Sequence, residues 1–258
     1  MTSIVGVFCS DGVVIGTDSS ATFSSSGHRT IEQETKKIDI FLGTVIVAGT
    51  GEVGLGQRFC NLAEKSFKEA NFIKGKPIEV MTALSQKAVK EFQSTYTAFP
   101  QMQAGFNYGA LVAYTNGETY NLCEFDPIHF RPELKLPQQK FFFSSMGSGQ
   151  QITDPFLALM RKIFWNAEMP TVADAKFITA WTLQHAIEVN PGGINSPIQM
   201  SAIRKNDRGR YSATMISDEE IQEHMDIVSN AESHLAGYKE ILRGKLKKAT
   251  IPDVIPQK

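Results

Sequence analysis

The chain has 258 residues, of which 42% are hydrophobic and 21% charged, and its formal net charge is −1. This is the composition of a globular protein that can bury a core, and the near-neutral charge argues against nucleic acids or anionic membranes as partners. No run of residues approaches the ~20 apolar residues that a transmembrane helix needs.

The cysteines and the first residues indicate the compartment. Cys9, Cys60 and Cys123 are an odd and widely spaced set, which fits a reducing environment better than a disulfide framework. The N-terminal segment has neither the basic region nor the apolar stretch of a signal peptide. We therefore expect a cytoplasmic protein.

Apolar patterns alternate between short strands and longer amphipathic helices. The turns Ser10-Asp11-Gly12 and Leu42-Gly43 each separate two apolar runs, which predicts two hairpins. Pro77 marks the start of one helix, and Ser217 with Glu220 has the spacing of a capping box at the start of another. In chain order the sequence predicts strands over 4–9, 13–17, 37–41 and 44–48 with a polar stretch over 19–34, helices over 52–72 and from Pro77, strands over 108–114, 119–125 and 140–144, helices over 154–165 and 172–188, strands over 198–204 and 211–216, a helix from Ser217, and a loose tail over 251–258.

This order of elements predicts the fold class. Strands that follow each other through tight turns form antiparallel sheets, and helices that come in pairs can cover the outer face of each sheet. We predict an α+β protein, a four-layer αββα sandwich with an extended C-terminal helix. The predicted division is a core over 1–217 and a helical extension over 218–258 that packs on the same domain.

Two glycine-containing segments need an interpretation. Residues 49–54 (GTGEVG) match G-x-G-x-x-G, but two hairpins precede the motif, and the next strand starts over fifty residues later. A dinucleotide-binding unit needs a parallel crossover within about 30 residues, so this reading is disfavoured. Gly147-Ser148-Gly149 is not a G-x-S-x-G nucleophile motif. Taken alone, it is interpreted as a turn whose serine caps a helix.

Thr2 is the residue with the most distinctive chemistry. If Met1 is removed, Thr2 carries a free α-amine whose pKa of about 7.7–8.0 suits a general base at neutral pH. A threonine hydroxyl is a poor nucleophile until a base removes its proton. One residue could thus supply both nucleophile and base. The histidines match no metal-binding spacing, so we expect no metal site. The interpretation of Thr2 as nucleophile implies no cofactor.

The arrangement of several motifs resembles proteasome β subunits and the bacterial protease HslV. It rests on residues 2–7 (TSIVGV), 11–22 (DGVVIGTDSSAT), 36–38 (KKI), 48–51 (AGTG) and 146–149 (MGSG), and the order holds to about Ser217. The long C-terminal helix is more similar to smaller bacterial homologues of the Anbu or betaproteobacterial type. The resemblance implies the N-terminal nucleophile (Ntn) hydrolase fold and threonine peptidase activity.

Residue by residue, the resemblance implies a complete site. Thr2 attacks and its amine is the base, while the Lys37 cation lowers pKa values nearby and Asp18 orients Lys37. The Gly49 N–H donates to the oxyanion, and Ser148 positions the amine. The pocket for the residue before the scissile bond would be lined by Ala21, Thr35 and Val47, and the moderate size of Val47 indicates an apolar preference.

Two departures keep alternatives open. The spacing from Thr22 to Lys36 is about three residues longer than in the family, which implies a loop insertion. Where the family has an aspartate and a serine before two glycines, this chain has Glu188 and Pro191. The resemblance implies that Glu188 replaces the catalytic aspartate with a longer arm, whereas proline offers neither a hydroxyl nor an N–H. The alternatives are a weak or inactive scaffold subunit of a ring, and an Ntn amidohydrolase acting on small amides.

The resemblance also implies the partners. The expected assembly is a homo-oligomer of stacked rings that hydrolyses unfolded polypeptides or peptides through an acyl-enzyme on Thr2. An ATP-dependent unfoldase is compatible with this expectation, whereas nucleic acid and membrane are not expected as partners.

Overall fold

The computed structural model describes residues 1–25, 28–96, 106–136, 142–165, 168–190 and 192–243. The strands are β1 (Ile4–Phe8), β2 (Val13–Thr17), β3 (Ser20–Ser25), β4 (His28–Glu34), β5 (Ile38–Phe41), β6 (Val45–Gly51), β7 (Tyr108–Thr115), β8 (Tyr120–Phe125), β9 (Pro132–Leu134), β10 (Phe143–Met146), β11 (Gln199–Lys205) and β12 (Tyr211–Met215). The α-helices are α1 (Val53–Lys68), α2 (Pro77–Tyr96), α3 (Gln150–Met160), α4 (Val172–Val189) and α5 (Asp218–Leu242).

Two five-stranded antiparallel sheets form the centre of the molecule, with strand orders β10-β1-β2-β11-β12 and β5-β6-β7-β8-β9. Helices α3 and α4 cover the first sheet, with α5 packed against α4, and helices α1 and α2 cover the second sheet. The predicted αββα sandwich is therefore confirmed, with an Ntn-hydrolase-like arrangement of layers.

Three apolar layers separate the four structural layers. Strand β1 supplies two of them by alternation, since Val5 and Val7 face the helices while Ile4 and Phe8 face the second sheet. All four side chains are buried, as expected for a strand covered on both faces. We call the layer between the sheets the inner core. Its buried members are Ile4, Phe8, Val13, Ile15, Ile38, Ile46, Ala48, Leu111, Ala113, Leu122, Met146, Ile203 and Ala213.

The structure differs from the predicted elements in three places. The stretch 19–34 contains the hairpin of β3 and β4, which pair with each other in a separate two-stranded sheet. Because this hairpin belongs to neither central sheet, the apolar alternation that marks core strands is missing from its sequence. Helix α3 begins at Gln150, four residues earlier than predicted, and β9 was not predicted at all. The predicted strand over 140–144 is described only from Phe142 onward, and the tail over 251–258 lies outside the described residues.

Helix α5 packs through its first half only. The Ser217 hydroxyl accepts the Glu220 N–H at 3.2 Å, as the predicted cap requires. Ile221 and Val228 are buried against α4, whereas Leu235 is 59% exposed. The division at residue 217 stays a prediction. In the described part of the chain, no helix combines the length and apolar character needed to cross a bilayer.

Candidate active site

The register of the first sheet brings three chain segments to one edge. Ile4 at the start of β1 pairs with Thr17 at the end of β2 and with Met146 at the end of β10. Because β1 is antiparallel to both neighbours, residues just before β1 lie beside those just after β2 and β10. Three predicted site residues therefore lie at this edge: Thr2 before β1, Asp18 after β2 and Ser148 after β10.

The second sheet contributes from the opposite side in the same way. Ile38, the first residue of β5, pairs with Ala48 of β6. Lys37 precedes Ile38 and Gly49 follows Ala48, so both lie beside Thr2 at the edge of the first sheet. The site is thus assembled from two sheets.

A buried ion pair lies at its centre. The Lys37 Nζ donates to Asp18 Oδ1 at 2.8 Å, and the two side chains are 7% and 0% exposed. Asp18 also accepts the N–H of Ser3 at 2.9 Å and that of Ser20 at 3.0 Å. Burial lowers the pKa of Lys37 and outweighs the opposing effect of Asp18. The pair therefore holds a positive charge in a poorly solvated place.

The Thr2 hydroxyl lies within reach of that charge. Lys37 Nζ donates to Thr2 Oγ1 at 3.2 Å and to the Met1 carbonyl at 3.3 Å. With Asp18, these contacts use all three ammonium protons. The Thr2 hydroxyl in turn donates to the Met1 carbonyl at 2.8 Å. With Met1 present, the hydroxyl is oriented by the peptide bond that precedes it.

The turn between β10 and α3 holds the backbone of Thr2. Ser148 Oγ accepts the Thr2 N–H at 3.1 Å, and the Gly149 N–H donates to the Thr2 carbonyl at 3.1 Å. Gly147 has a φ of +91°, and a Cβ there would lie 2.3 Å from the Thr2 carbonyl oxygen. Only glycine fits this close approach. Gly149, without a side-chain cap, is the N-cap of α3, so the interpretation of Ser148 as a helix cap is wrong.

The glycines at residues 49–54 lie in an antiparallel setting. Strand β6 is antiparallel to both β5 and β7, which rules out a parallel dinucleotide-binding unit at this motif. A Cβ on Gly49 would lie 2.4 Å from the Tyr108 hydroxyl oxygen, so the backbone passes directly over that ring. The glycines allow the chain to pass from β6 into α1 close to Thr2.

A cleft of about 420 Å³ opens next to Thr2. Its walls include every residue predicted for the substrate pocket, namely Ala21, Thr35 and Val47, together with Gly49. Asp39, Cys60 and Tyr108 also line it and were not predicted. The pocket is therefore more polar than Val47 alone suggests.

Gln199 is a further residue that the sequence analysis missed. Its amide accepts the Lys37 N–H at 3.0 Å and donates to the Thr35 carbonyl at 2.7 Å and to Ser19 Oγ at 3.1 Å. It is the first residue of β11 and pairs with Thr17. A polar residue at the start of an apolar strand was the only available signal. Gln199 therefore holds the backbone of residues 35–37, the segment that leads into β5.

Glu188 does not join this cluster. It is exposed near the end of α4, and its carboxylate accepts a hydrogen bond from Gln184 at 2.6 Å. Pro191 lies outside the described residues. Within the described ranges, no three His, Cys, Asp or Glu side chains are grouped so as to hold a metal ion.

The arrangement has the parts of a nucleophilic site. A hydroxyl beside a buried cation becomes easier to deprotonate, because the cation stabilises the alkoxide. Trimming of Met1 would leave the Thr2 nitrogen as an amine beside Ser148. The cleft then offers space for an acyl group within reach of the hydroxyl.

Comparisons with known proteins agree with this fold. The family model described as proteasome subunit matches residues 1–164. Similar solved structures are Anbu, described as an ancestral β-subunit, from Yersinia bercovieri (14% identity, TM-score 0.68) and a mutant of Anbu from Hyphomicrobium sp. strain MC1 (14% identity, TM-score 0.67). Each alignment covers 97% of this chain and 100% of the other. No curated protein sequence matches this chain significantly.

Proposed function

Because the chain belongs to the proteasome subunit family, we propose that it is a threonine-type endopeptidase subunit of a self-compartmentalised, proteasome-like ring protease. The observation that carries the proposal is the position of Lys37 Nζ, 2.8 Å from Asp18 and 3.2 Å from the Thr2 hydroxyl oxygen. A buried ammonium between a carboxylate and a hydroxyl is an arrangement that activates a nucleophile.

In the proposed reaction, the Thr2 amine takes the hydroxyl proton and Oγ1 attacks the peptide carbonyl. The tetrahedral intermediate collapses to an ester on Thr2, and the amine passes its proton to the leaving nitrogen. Water activated by the same amine then hydrolyses the ester. Gly49 lines the cleft, and its N–H is the proposed donor to the oxyanion.

Other residues have positioning roles in this proposal. Asp18 keeps Lys37 charged and oriented, and Ser148 holds the Thr2 nitrogen at 3.1 Å. Ala21, Thr35 and Val47 contact the side chain of the residue before the scissile bond. Glu188 faces solvent and bonds to Gln184, so we assign it no part in the reaction.

The proposal extends to assembly and setting. We infer stacked homo-oligomeric rings in the cytoplasm, with unfolded polypeptides or peptides as substrates and an ATP-dependent unfoldase as a partner. Size-exclusion chromatography with light scattering tests the rings, and a monomer at micromolar concentration would contradict this part.

Intact-mass analysis tests the chemistry. The purified protein is incubated with a peptide electrophile that has two reacting carbons, one for the hydroxyl and one for the α-amine. We expect loss of Met1 and one adduct per chain, which Thr2→Ser retains and Thr2→Ala abolishes. Loss of Met1 without an adduct would favour the scaffold alternative. Hydrolysis of small amides but not of peptides would favour the amidohydrolase.

A further inference from the structure

Asp39 projects into the cleft because of strand alternation. In β5, Ile38 is fully buried in the inner core, so the next side chain points to the opposite face. Asp39 pairs with Val47 across β5 and β6. Both residues line the cleft that also contains Thr2. A carboxylate thus lies beside a predicted pocket residue.

The hydrogen-bond donors that contact Asp39 leave room for a ligand, which can displace one of them or donate a further hydrogen bond. Its Oδ1 accepts from Lys36 Nζ at 3.1 Å, with side chains 65% and 43% exposed for the lysine and the aspartate. An ion pair this exposed is weak. Its Oδ2 accepts the Cys60 thiol at 3.5 Å. Each carboxylate oxygen can accept a further hydrogen bond.

The groups around Asp39 leave its charge uncompensated once Lys36 turns away. Burial, and then Asp39, raise the pKa of Cys60 to about 12, and burial raises that of Tyr108, so both are neutral at pH 7. Lys37, the other lysine of the cleft lining, is bonded to Asp18. Glu52 adds a second carboxylate to the cleft lining.

We propose that Asp39 makes the cleft select an arginine or lysine side chain in the residue before the scissile bond. This inference rests on the proposed function and names its substrate class. A guanidinium in the cleft could replace the Lys36 ammonium at Asp39 and pair with the carboxylate through two hydrogen bonds. The preference contrasts with the apolar one that Val47 alone indicates.

Peptides that differ only before the scissile bond test the proposal. The wild type should cleave the arginine peptide with a higher kcat/KM than the leucine or glutamate peptide. Asp39→Asn should lower kcat/KM for arginine about tenfold or more, since a charged hydrogen bond is lost, and leave leucine within about twofold. Lys36→Gln should raise the arginine rate because it removes the competing cation. Asp207→Asn, in an exposed turn, is the matched control and should change neither.

A preference for leucine in the wild type, or an arginine-to-leucine ratio that Asp39→Asn leaves unchanged, would overturn the proposal. Binding separates this failure from failure of the proposed function, because it needs no turnover. In a Thr2→Ala background, a tripeptide ending in arginine should bind more tightly by calorimetry than one ending in leucine. Equal binding of both tripeptides would refute the selectivity even if the protein hydrolyses nothing.

Discussion

Removing either partner of the Asp18–Lys37 pair should destabilise the protein to different extents. Asp18→Asn replaces the carboxylate beside the buried Lys37 ammonium by a neutral amide, and a buried charge that loses its counter-ion costs about 4 kcal/mol. Lys37→Met leaves Asp18 with its two backbone N–H donors. The second change should cost only about 2 kcal/mol, the value of one charged hydrogen bond.

The double variant should be more stable than the sum of these costs implies. With neither charge present, no buried ion lacks its partner, and we expect a loss of about 3–4 kcal/mol instead of about 6. The coupling free energy is therefore about 2–3 kcal/mol. Urea unfolding followed by the fluorescence of the buried Trp165 and Trp181 measures all four proteins, at one protein concentration because assembly affects apparent stability.

The pH dependence gives a second check on the same pair. Without Asp18, the Lys37 pKa should fall further below its ordinary value, because the carboxylate raises it. The unfolded state then binds more protons than the native state between the two pKa values, so the stability of Asp18→Asn should rise with pH across that window. Additive losses in the cycle, or an Asp18→Asn variant less stable at pH 9 than at pH 7, would refute the reasoning.

Three further predictions follow from other contacts. Gly147→Ala should destabilise the protein by more than Gly209→Ala, since both glycines have positive φ but only Gly147 would place its Cβ against backbone; urea midpoints compare them, and equal losses would contradict the close contact. Val228→Ala should cost about 1–3 kcal/mol in unfolding free energy because the side chain is buried, whereas the exposed Leu235→Ala should stay within about 0.5 kcal/mol; a reversed order would contradict the packing of α5. In a pH profile, kcat/KM should rise as the α-amine loses its proton near about pH 7.7–8.0. At higher pH kcat/KM should decrease as Lys37 loses its proton, and the midpoint of this decrease should lie below the ordinary pKa of lysine because burial lowers the pKa of Lys37. A midpoint at or above about pH 10.4 would contradict this.

The sequence predicted the parts of the fold that depend on local patterns. Both early hairpins, the αββα order and the α5 cap were predicted because apolar period, turn residues and caps lie within a few positions of one another. Strands β3 and β4 lack such a pattern since they pair only with each other. The serine of the β10–α3 turn was read alone as a cap, whereas its partner, the Thr2 nitrogen, is 146 residues away.

The candidate site was predictable from the resemblance of the motifs to a known family, despite the longer spacer before Lys37. Thr2, Asp18, Lys37 and Ser148 were predicted and lie in one connected set of hydrogen bonds. Their catalytic roles stay predictions. Gln199 could not be found from the sequence, because its importance comes from contact with the Lys37 backbone across 162 positions.

The division of the site between two sheets has a consequence for tolerance to mutation. Thr2, Asp18 and Ser148 move with the first sheet, while Lys37 and Gly49 move with the second, and the inner core is the spacer between them. A change of volume in that layer is expected to alter the distance from the Lys37 ammonium to the Thr2 hydroxyl, although none of its side chains lines the cleft. The cores beneath the helices do not separate the two sheets, and of their buried members only Val47 and Tyr108 line the cleft. Uncharged side chains of the inner core thus help to set the distance between Lys37 and Thr2. We expect substitutions to be tolerated better beneath the helices than between the sheets.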